Sequence, residues 1–239
     1  MFNFSGKYAV VTGGSQGIGE GIVRRFVADQ VEGIAILDVK DTTALAKELD
    51  PSGNKVLPLV CNIADRPSVE AAFKEIYAKF GRVDFLVNNA GIARDAMFHK
   101  MSDDQWDAVI DVNLKGTYNC TKQVINQMRD QESGRIIFTS SIGIYGGVGQ
   151  SNYSASKGAL FTLTKNLARE QMRKGITVNC IIPGPIDTEL FRGAGNNNAP
   201  RPEQRVGQPA DVASLVCYLC TDEAYYINGA RIDINGGIQ

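Results

Sequence analysis

Seven short apolar runs rich in β-branched residues recur along the chain: YAVVTG, GIAILDV, KVLPLVC, VDFLVNNAG, GRIIFTSS, ITVNCIIPG and ARIDING. Their length and composition are those of strands. The longer segments between them place apolar residues three and four apart, which predicts helices beginning near Ile18, Thr42, Pro67, Asp103, Asn152 and Ala210. Strands this apolar are expected to be buried on both faces, and that requires a parallel sheet with helices packed on each side. The pattern therefore predicts an α/β fold, a doubly wound seven-stranded parallel sheet, as a single domain over residues 1–239.

One stretch breaks the pattern. RGAGNNNAPRP, from Arg192 to Pro202, has too little apolar surface to pack tightly. Ligands of such sheets bind beyond the carboxyl ends of the strands. A segment after the sixth strand is thus expected to act as a substrate lid, at about 189–208, or else to be an idle surface loop. No internal repeat is present.

Composition narrows the function. Hydrophobic content of 44% and charged content of 21% are ordinary for a globular protein with a real core. Lys plus Arg number 25 against 26 Asp plus Glu, so nothing global favours nucleic acid or an anionic membrane. The N-terminus lacks a basic leader followed by a long apolar run, and no stretch approaches the roughly 18 apolar residues of a membrane span. A cytoplasmic protein is expected.

The five cysteines, Cys61, Cys120, Cys180, Cys217 and Cys220, are odd in number and mostly far apart, as buried reduced thiols are. Cys217 and Cys220 form a C-x-x-C, but on one face of a helix-patterned run and without a second Cys/His pair to complete a zinc site. His99 is the only histidine. It cannot by itself build a metal site or a Ser-His-Asp triad, so no metal is expected.

The first strand is followed by Thr12-Gly13-Gly14-Ser15-Gln16-Gly17-Ile18-Gly19 and then by a helical run. Glycines let the backbone approach a pyrophosphate, and the helix start offers free N–H groups and the positive dipole end. The spacing G-x-x-x-G-x-G is not the common G-x-G-x-x-G, so context carries the reading of a dinucleotide cradle. Asp38 ends the second strand about 20 residues on, where an acid accepts from a ribose 2′-hydroxyl. A carboxylate there repels a 2′-phosphate, and neither Gln16 nor Val39 supplies a cation, although Lys40 is close enough in sequence to do so. NAD(H) is expected in preference to NADP(H).

Tyr153 and Lys157 lie four residues apart in G-Q-S-N-Y-S-A-S-K. On a helix they share one face, which sets an ammonium beside a phenol and favours the phenolate. Alone, Y-x-x-x-K describes many solvated surface pairs. Together with the other motifs it describes an active site.

T-G-G-S-Q-G-I-G at 12–19, N-N-A-G at 88–91, Asn113 in D-V-N-L-K-G, Ser140-Ser141, Y-S-A-S-K at 153–157 and P-G-P-I-D-T at 183–188 occur in the order and spacing of a known set. The chain resembles the short-chain dehydrogenase/reductase family over essentially its whole length. The resemblance implies a Rossmann-type NAD(P)-binding domain. It implies that Ser140, thirteen residues before Tyr153, hydrogen-bonds the substrate carbonyl, with Ser141 as its more structural neighbour. It implies that Tyr153 gives the proton, that Lys157 binds the nicotinamide ribose and lowers the tyrosine pKa, and that Asn113 supports a water-mediated proton relay.

For the cofactor the resemblance assigns Asn89, Ala90 and Gly91 to the adenosine ribose and pyrophosphate. Thr188 and the backbone near Ile186 go to the carboxamide, and Pro183-Gly184 to the turn. Asn62-Ile63 takes the adenine edge, where the family more often has Asp. Hydride transfer leaves alkoxide-like charge on oxygen, so two hydroxyl donors aimed there stabilise the transition state.

GIARDAMFHKMSDDQWDAVIDVNLKG, GQSNYSASKGAL and NGARIDINGG resemble the β-ketoacyl reductase branch in particular. This implies reduction of a 3-oxoacyl thioester on acyl carrier protein or coenzyme A. Arg129, Arg173 and Lys174 stand where that branch offers positive charge to an acidic carrier, or are ordinary solvated bases. Asp38 and a short lid segment pull against a housekeeping fatty-acid role. An NAD-dependent secondary-alcohol, polyol or hydroxysteroid dehydrogenase is the main alternative, and a non-catalytic NAD(H)-binding sensor or scaffold a remote one. Family members are usually homotetramers.

Overall fold

The computed structural model describes residues 1–193 and 205–237. All seven expected strands form: β1 (Tyr8–Thr12), β2 (Gly33–Asp38), β3 (Val56–Val60), β4 (Phe85–Asn88), β5 (Gly134–Thr139), β6 (Ile176–Pro183) and β7 (Arg231–Ile234). They make one parallel sheet in the order β3-β2-β1-β4-β5-β6-β7. The order reverses between β1 and β4, and there the connections diverge to opposite faces and leave a crevice at the strands' carboxyl ends.

Burial on both faces holds for the central strands and fails at the edges. Every residue of β5 and β6 is buried, whereas β7 alternates exposed and half-buried positions and β3 is buried only at Val56 and Leu59. An edge strand has one neighbour instead of two, so polar residues such as Arg231 and Asp233 are tolerated there.

Alternation along each inner strand feeds two cores. On one face Val11, Ile36, Phe85 and Ile137 pack with Ile22, Val23 and Phe26 of α1 (Gly17–Ala28) and Val212 and Val216 of α8 (Pro209–Cys220). On the other, Val10, Leu37, Leu86 and Phe138 meet Phe73 of α3 (Arg66–Phe80), Val124 of α5 (Thr117–Asp130) and Leu160 of α6 (Ser151–Gln171). Phe26 and Phe73 are fully buried. Truncating either to alanine costs about 3–5 kcal/mol, the loss of transfer energy plus a cavity.

Six helices begin within one residue of where the pattern predicts them, the second being α2 (Thr43–Leu49). The fourth, α4 (Asp103–Ile110), opens with a capping box in which Ser102 Oγ accepts from the Gln105 N–H while Gln105 Oε1 accepts from the Ser102 N–H. It runs through a π-helical turn, Asp111–Gly116, into α5. Such single wide turns are costly and cluster at functional sites. Asn113 lies on this one.

The lid expected at about 189–208 is only partly within the described residues. A short helix, α7 (Glu189–Gly193), begins it, and residues 194–204, most of RGAGNNNAPRP, lie outside them. Its two ends meet. Ile186 bridges Gly207, the Asp187 N–H donates to Gly207 O at 2.8 Å, and the Gly207 N–H donates to Pro185 O at 3.0 Å.

Candidate active site

The crevice is a cleft of about 530 Å³ at the carboxyl ends of the strands. Its floor is the glycine turn. Gly13 and Gly17 take left-handed backbone angles, with φ of 66° and 56°. A Cβ on Gly13 would stand 2.8 Å from Ala90 Cα, so only glycine lets the two turns pass. Thr12, fully buried, locks them together, because its Oγ1 accepts from the Asn89 and Ala90 N–H groups, both at 3.0 Å. Asn89 Nδ2 returns the contact to the Thr12 and Gly13 carbonyls at 3.1 Å each.

Of the residues expected to hold a cofactor, Gly13, Ser15, Gln16, Gly17, Ile18, Asp38, Asn62, Ile63, Asn89, Ala90, Gly91, Tyr153, Lys157, Pro183, Gly184, Ile186 and Thr188 line the cleft. Gly19 does not. A Cβ there would lie 2.0 Å from Gly13 O and 2.7 Å from Asn89 Nδ2, so its part is to let the helix pack beneath the turn. Asn62 Oδ1 already accepts from the Ala64 N–H at 3.1 Å, which leaves it one lone pair for a ligand. Glycines whose side-chain space is filled by backbone, a carboxylate at one end and hydroxyls with an ammonium at the other fit an extended dinucleotide.

Tyr153 and Lys157 project into this cleft from the first turns of α6. Asn152 anchors that helix start: its Nδ2 donates to Arg94 O and Gln105 O, both at 3.0 Å, and its Oδ1 accepts from the Tyr153 N–H at 2.7 Å. Lys157 is 3% exposed, and its Nζ donates to Thr139 O at 2.7 Å. The ammonium also stands 5.9 Å from the Tyr153 ring centre.

The electrostatics differ from the expectation that Lys157 lowers the tyrosine pKa. Burial pushes the Tyr153 phenol above its ordinary value, a hydrogen bond with the Ser141 side chain partly offsets this, and the Asp95 carboxylate adds to it. Part of the ring remains exposed to the cleft, but the groups crowded around it strip enough water for burial to dominate. Burial likewise pushes Lys157 down to about 8. One of the three ammonium donors goes to Thr139, and burial is the largest influence on both groups.

The serine assignment is also corrected. Ser140 is 3% exposed, and its hydroxyl donates to Lys157 O at 2.9 Å. A serine has one O–H, so Ser140 has none left for a substrate carbonyl. Ser141 is the hydroxyl beside the phenol, and its Oγ accepts from the Gly143 N–H at 3.1 Å. Counting thirteen residues back from Tyr153 assumes a fixed loop length. Strand alternation is the better signal: Ile136, Phe138 and Ser140 follow one another on the face toward α6, and the next residue turns to the cleft.

Asn113 is fully buried and does not line the cleft. Its Oδ1 accepts from the Ile92 N–H at 2.8 Å, and its Nδ2 donates to Ile92 O and Ser156 Oγ, both at 3.0 Å. Both amide protons and one lone pair of the oxygen are used inside the protein. The Asn113 side chain therefore positions the 91–92 turn against α6.

Sequence reasoning also missed Thr12 and Asn152, whose hydrogen bonds fix the two walls of the cleft, and Asp95 with Gln150 at its rim, joined at 3.0 Å. The five cysteines are free and buried. Among the described residues, no three His, Cys, Asp or Glu side chains gather as metal ligands, and no helix is long and apolar enough to cross a membrane.

The sequence profile of short chain dehydrogenases matches residues 7–199. The chain is 39% identical over 243 residues to the 3-oxoacyl-(acyl-carrier-protein) reductase of Salmonella typhimurium, covering 99% of this chain and 98% of that protein. It is 39% identical over 240 residues to the reductase of the same name from Thermotoga maritima, covering 98% of each. The solved structure of a levodione reductase superposes with a TM-score of 0.90 at 30% identity, covering 99% of this chain and 98% of that one. With the glycine turn, the paired tyrosine and lysine and the parallel sheet all in place, this chain belongs to the short chain dehydrogenase family and is an oxidoreductase of the CH–OH/C=O couple.

Proposed function

We propose that this chain reduces a 3-oxoacyl thioester, carried on acyl carrier protein or coenzyme A, to the 3-hydroxyacyl thioester, with NAD(H) in preference to NADP(H). The observation that carries the chemistry is the meeting of Tyr153, Ser141 and Lys157 on one cleft with the glycine turn. The relatives named as 3-oxoacyl reductases, similar along their whole length, support the substrate class. Asp38 supports the cofactor preference.

A bound dihydronicotinamide supplies the hydride. Tyr153 holds the proton that the carbonyl oxygen takes up, and its raised pKa keeps that proton in place at neutral pH. Ser141 offers a second hydroxyl to the same oxygen as charge develops. Lys157 presents its N–H groups to the cofactor's ribose hydroxyls, while Ser140 and Asn113 hold the α6 turn and the 91–92 turn that frame it. Ile186 and Thr188 border the end of the cleft that would take the carboxamide.

The wider reading is of one cytoplasmic domain, acting as a homotetramer, with the 189–208 segment closing over the substrate. Arg129 and Lys174, two of the bases suited to an acidic carrier, are engaged with Gln171 and Glu132 at 2.7 and 3.0 Å. That leaves Arg173 as the freer of the three for such a partner. The match to levodione reductase favours a second reading, a dehydrogenase of simple ketones and secondary alcohols.

Oxidation of NADH and NADPH by the purified protein, with acetoacetyl-CoA, an acetoacetyl carrier protein and a panel of ketones, separates the two. Turnover of ketones without thioesters overturns the substrate reading, and strong preference for NADPH overturns that of Asp38. Tyr153→Phe is expected to abolish turnover while keeping cofactor binding.

A further inference from the structure

Near Tyr153 the cleft carries a carboxylate that the chemistry of reduction does not use. Asp95 follows the 91–92 turn, and three hydrogen bonds clip its segment to the start of α6. The Ala96 N–H donates to Gly149 O at 2.8 Å, Asn152 Nδ2 to Arg94 O at 3.0 Å, and Gln150 Nε2 to Asp95 Oδ2 at 3.0 Å. Gln150 fixes the carboxylate without cancelling its charge, because an amide is neutral. Asp95 is thus held in register with the helix turn that carries Tyr153.

Among the described residues, the charged ones that border the cleft are Asp38, Lys40, Asp95 and Lys157. Asp38 and Lys40 stand at the far end, beside the glycine turn, where Lys40 Nζ donates to Gln16 Oε1. Lys157 is buried and bonded to Thr139 O. Arg94, the base next to Asp95 in the chain, donates to Ala93 O at 3.0 Å and does not border the cleft. Burial raises the Tyr153 phenol most, and the Asp95 carboxylate adds to that rise, so its charge is felt at the reacting end. We infer that Asp95, fixed by Gln150, is a specificity-determining residue: it disfavours free 3-oxo acids and leaves the cleft to 3-oxoacyl groups whose carboxyl is masked as a thioester or ester.

The inference rests on the reading of Tyr153 as proton donor and deepens the substrate class proposed above. A ketone that accepts from the Tyr153 O–H brings with it whatever stands one methylene away. In a free 3-oxo acid that group is a carboxylate, ionised at neutral pH, and it enters a cleft that already holds a like charge. In a thioester or ester it is a neutral carbonyl. The phosphates of coenzyme A or of a carrier arm lie a full pantetheine length farther off, where water screens them. Discrimination by a repulsive element leaves the neutral substrate untouched. Asp95 is itself exposed, so solvent weakens the repulsion and the expected preference is modest.

Acetoacetate and methyl acetoacetate share one ketone and differ by one charge. Each is titrated into wild type, Asp95→Asn and Asp95→Glu loaded with NAD⁺, which cannot reduce a ketone. Wild type is expected to bind the ester more tightly than the anion. Asp95→Asn should lower the ratio of the two Kd values, acetoacetate over ester, about fivefold, and Asp95→Glu should keep most of the wild-type ratio. A ratio that moves by less than about twofold in Asp95→Asn overturns the inference, as does a wild type that binds acetoacetate at least as tightly as the ester. NADH oxidation gives a second readout, since kcat/KM for acetoacetate should rise in Asp95→Asn while that for the ester holds. If wild type reduces neither the ester nor a thioester, the substrate class proposed above fails, and the binding ratio still judges Asp95.

Discussion

Lys157 Nζ donates to the Thr139 main-chain oxygen at 2.7 Å, so the end of β5, and not the phenol beside it, holds the ammonium. This makes Lys157 the group that sets the alkaline limit of activity. Burial lowers its pKa from 10.5 to about 8, while the phenol is shifted upward. The protonated lysine is the form that donates, and kcat/KM for NADH-dependent reduction is therefore expected to fall as pH rises through about 8. A profile flat to pH 10 would show that Lys157 keeps its proton. The stability consequence has the opposite sign. Between about 8 and 10.5 the unfolded chain binds the proton that the folded chain has lost, so this group's contribution to stability rises with pH. Urea unfolding of Lys157→Met should lack that rise relative to wild type.

The neighbouring serines make a sharper comparison. Ser141→Ala removes a hydroxyl aimed at the developing oxyanion, and a loss of about 10²–10³ in kcat is the usual cost of one such donor. Ser140→Ala instead removes the second donor of the Lys157 carbonyl, which keeps its helical partner within α6, at about 0.5–1.5 kcal/mol of stability. Steady-state kinetics and urea unfolding of both variants should therefore divide, with Ser141→Ala slow but stable and Ser140→Ala unstable but more active. The reverse pattern would restore Ser140 to the role that spacing alone suggested.

Much of this site was legible because its signals are local. A glycine turn between a strand and a helix, an acid at the end of the next strand, and a tyrosine with a lysine one turn on all depend on short-range geometry, and each stands where it was expected. What failed depended on side-chain direction or on solvent. Ser140 and Ser141 differ by one position, and only the alternation of β5 decides which faces α6. Asn113 is buried and bonded to Ile92 and Ser156, a packing role that residue order does not reveal. The pKa of Tyr153 turned on burial, which residue order does not reveal. The edge strands departed from the apolar pattern for a similar reason, as neighbours in the sheet are set by topology.

Gly91 is a test of how closely the two catalytic walls approach. A Cβ there would lie 3.0 Å from Lys157 Nζ and 3.2 Å from Asn113 Oδ1. Neither group can retreat freely, because Lys157 is tied to Thr139 and Asn113 to Ile92. Gly91→Ala should displace the ammonium and lower kcat about tenfold or more, as misplacement of a catalytic group by a fraction of an ångström does. The unfolding temperature should fall as well, since the added methyl crowds a filled site. Normal turnover in this variant would mean that the lysine tolerates displacement.

Thr12 couples the cofactor turn to the strand beneath it. Its hydroxyl serves two partly buried N–H groups, those of Asn89 and Ala90. Thr12→Val preserves shape but orphans both donors, at about 1–3 kcal/mol each. The loss should be read in two ways, as a lower urea midpoint and as weaker NADH binding at a temperature where the variant remains folded. Thr12→Ser keeps the oxygen and should restore most of both, with a small residual loss from the missing methyl group. If Thr12→Val lost stability but bound NADH normally, the Asn89-Ala90 turn would be a structural strap alone. Parallel loss would place the threonine among the residues that shape the cofactor's floor, because the carbonyls that Asn89 holds belong to Thr12 and Gly13 themselves.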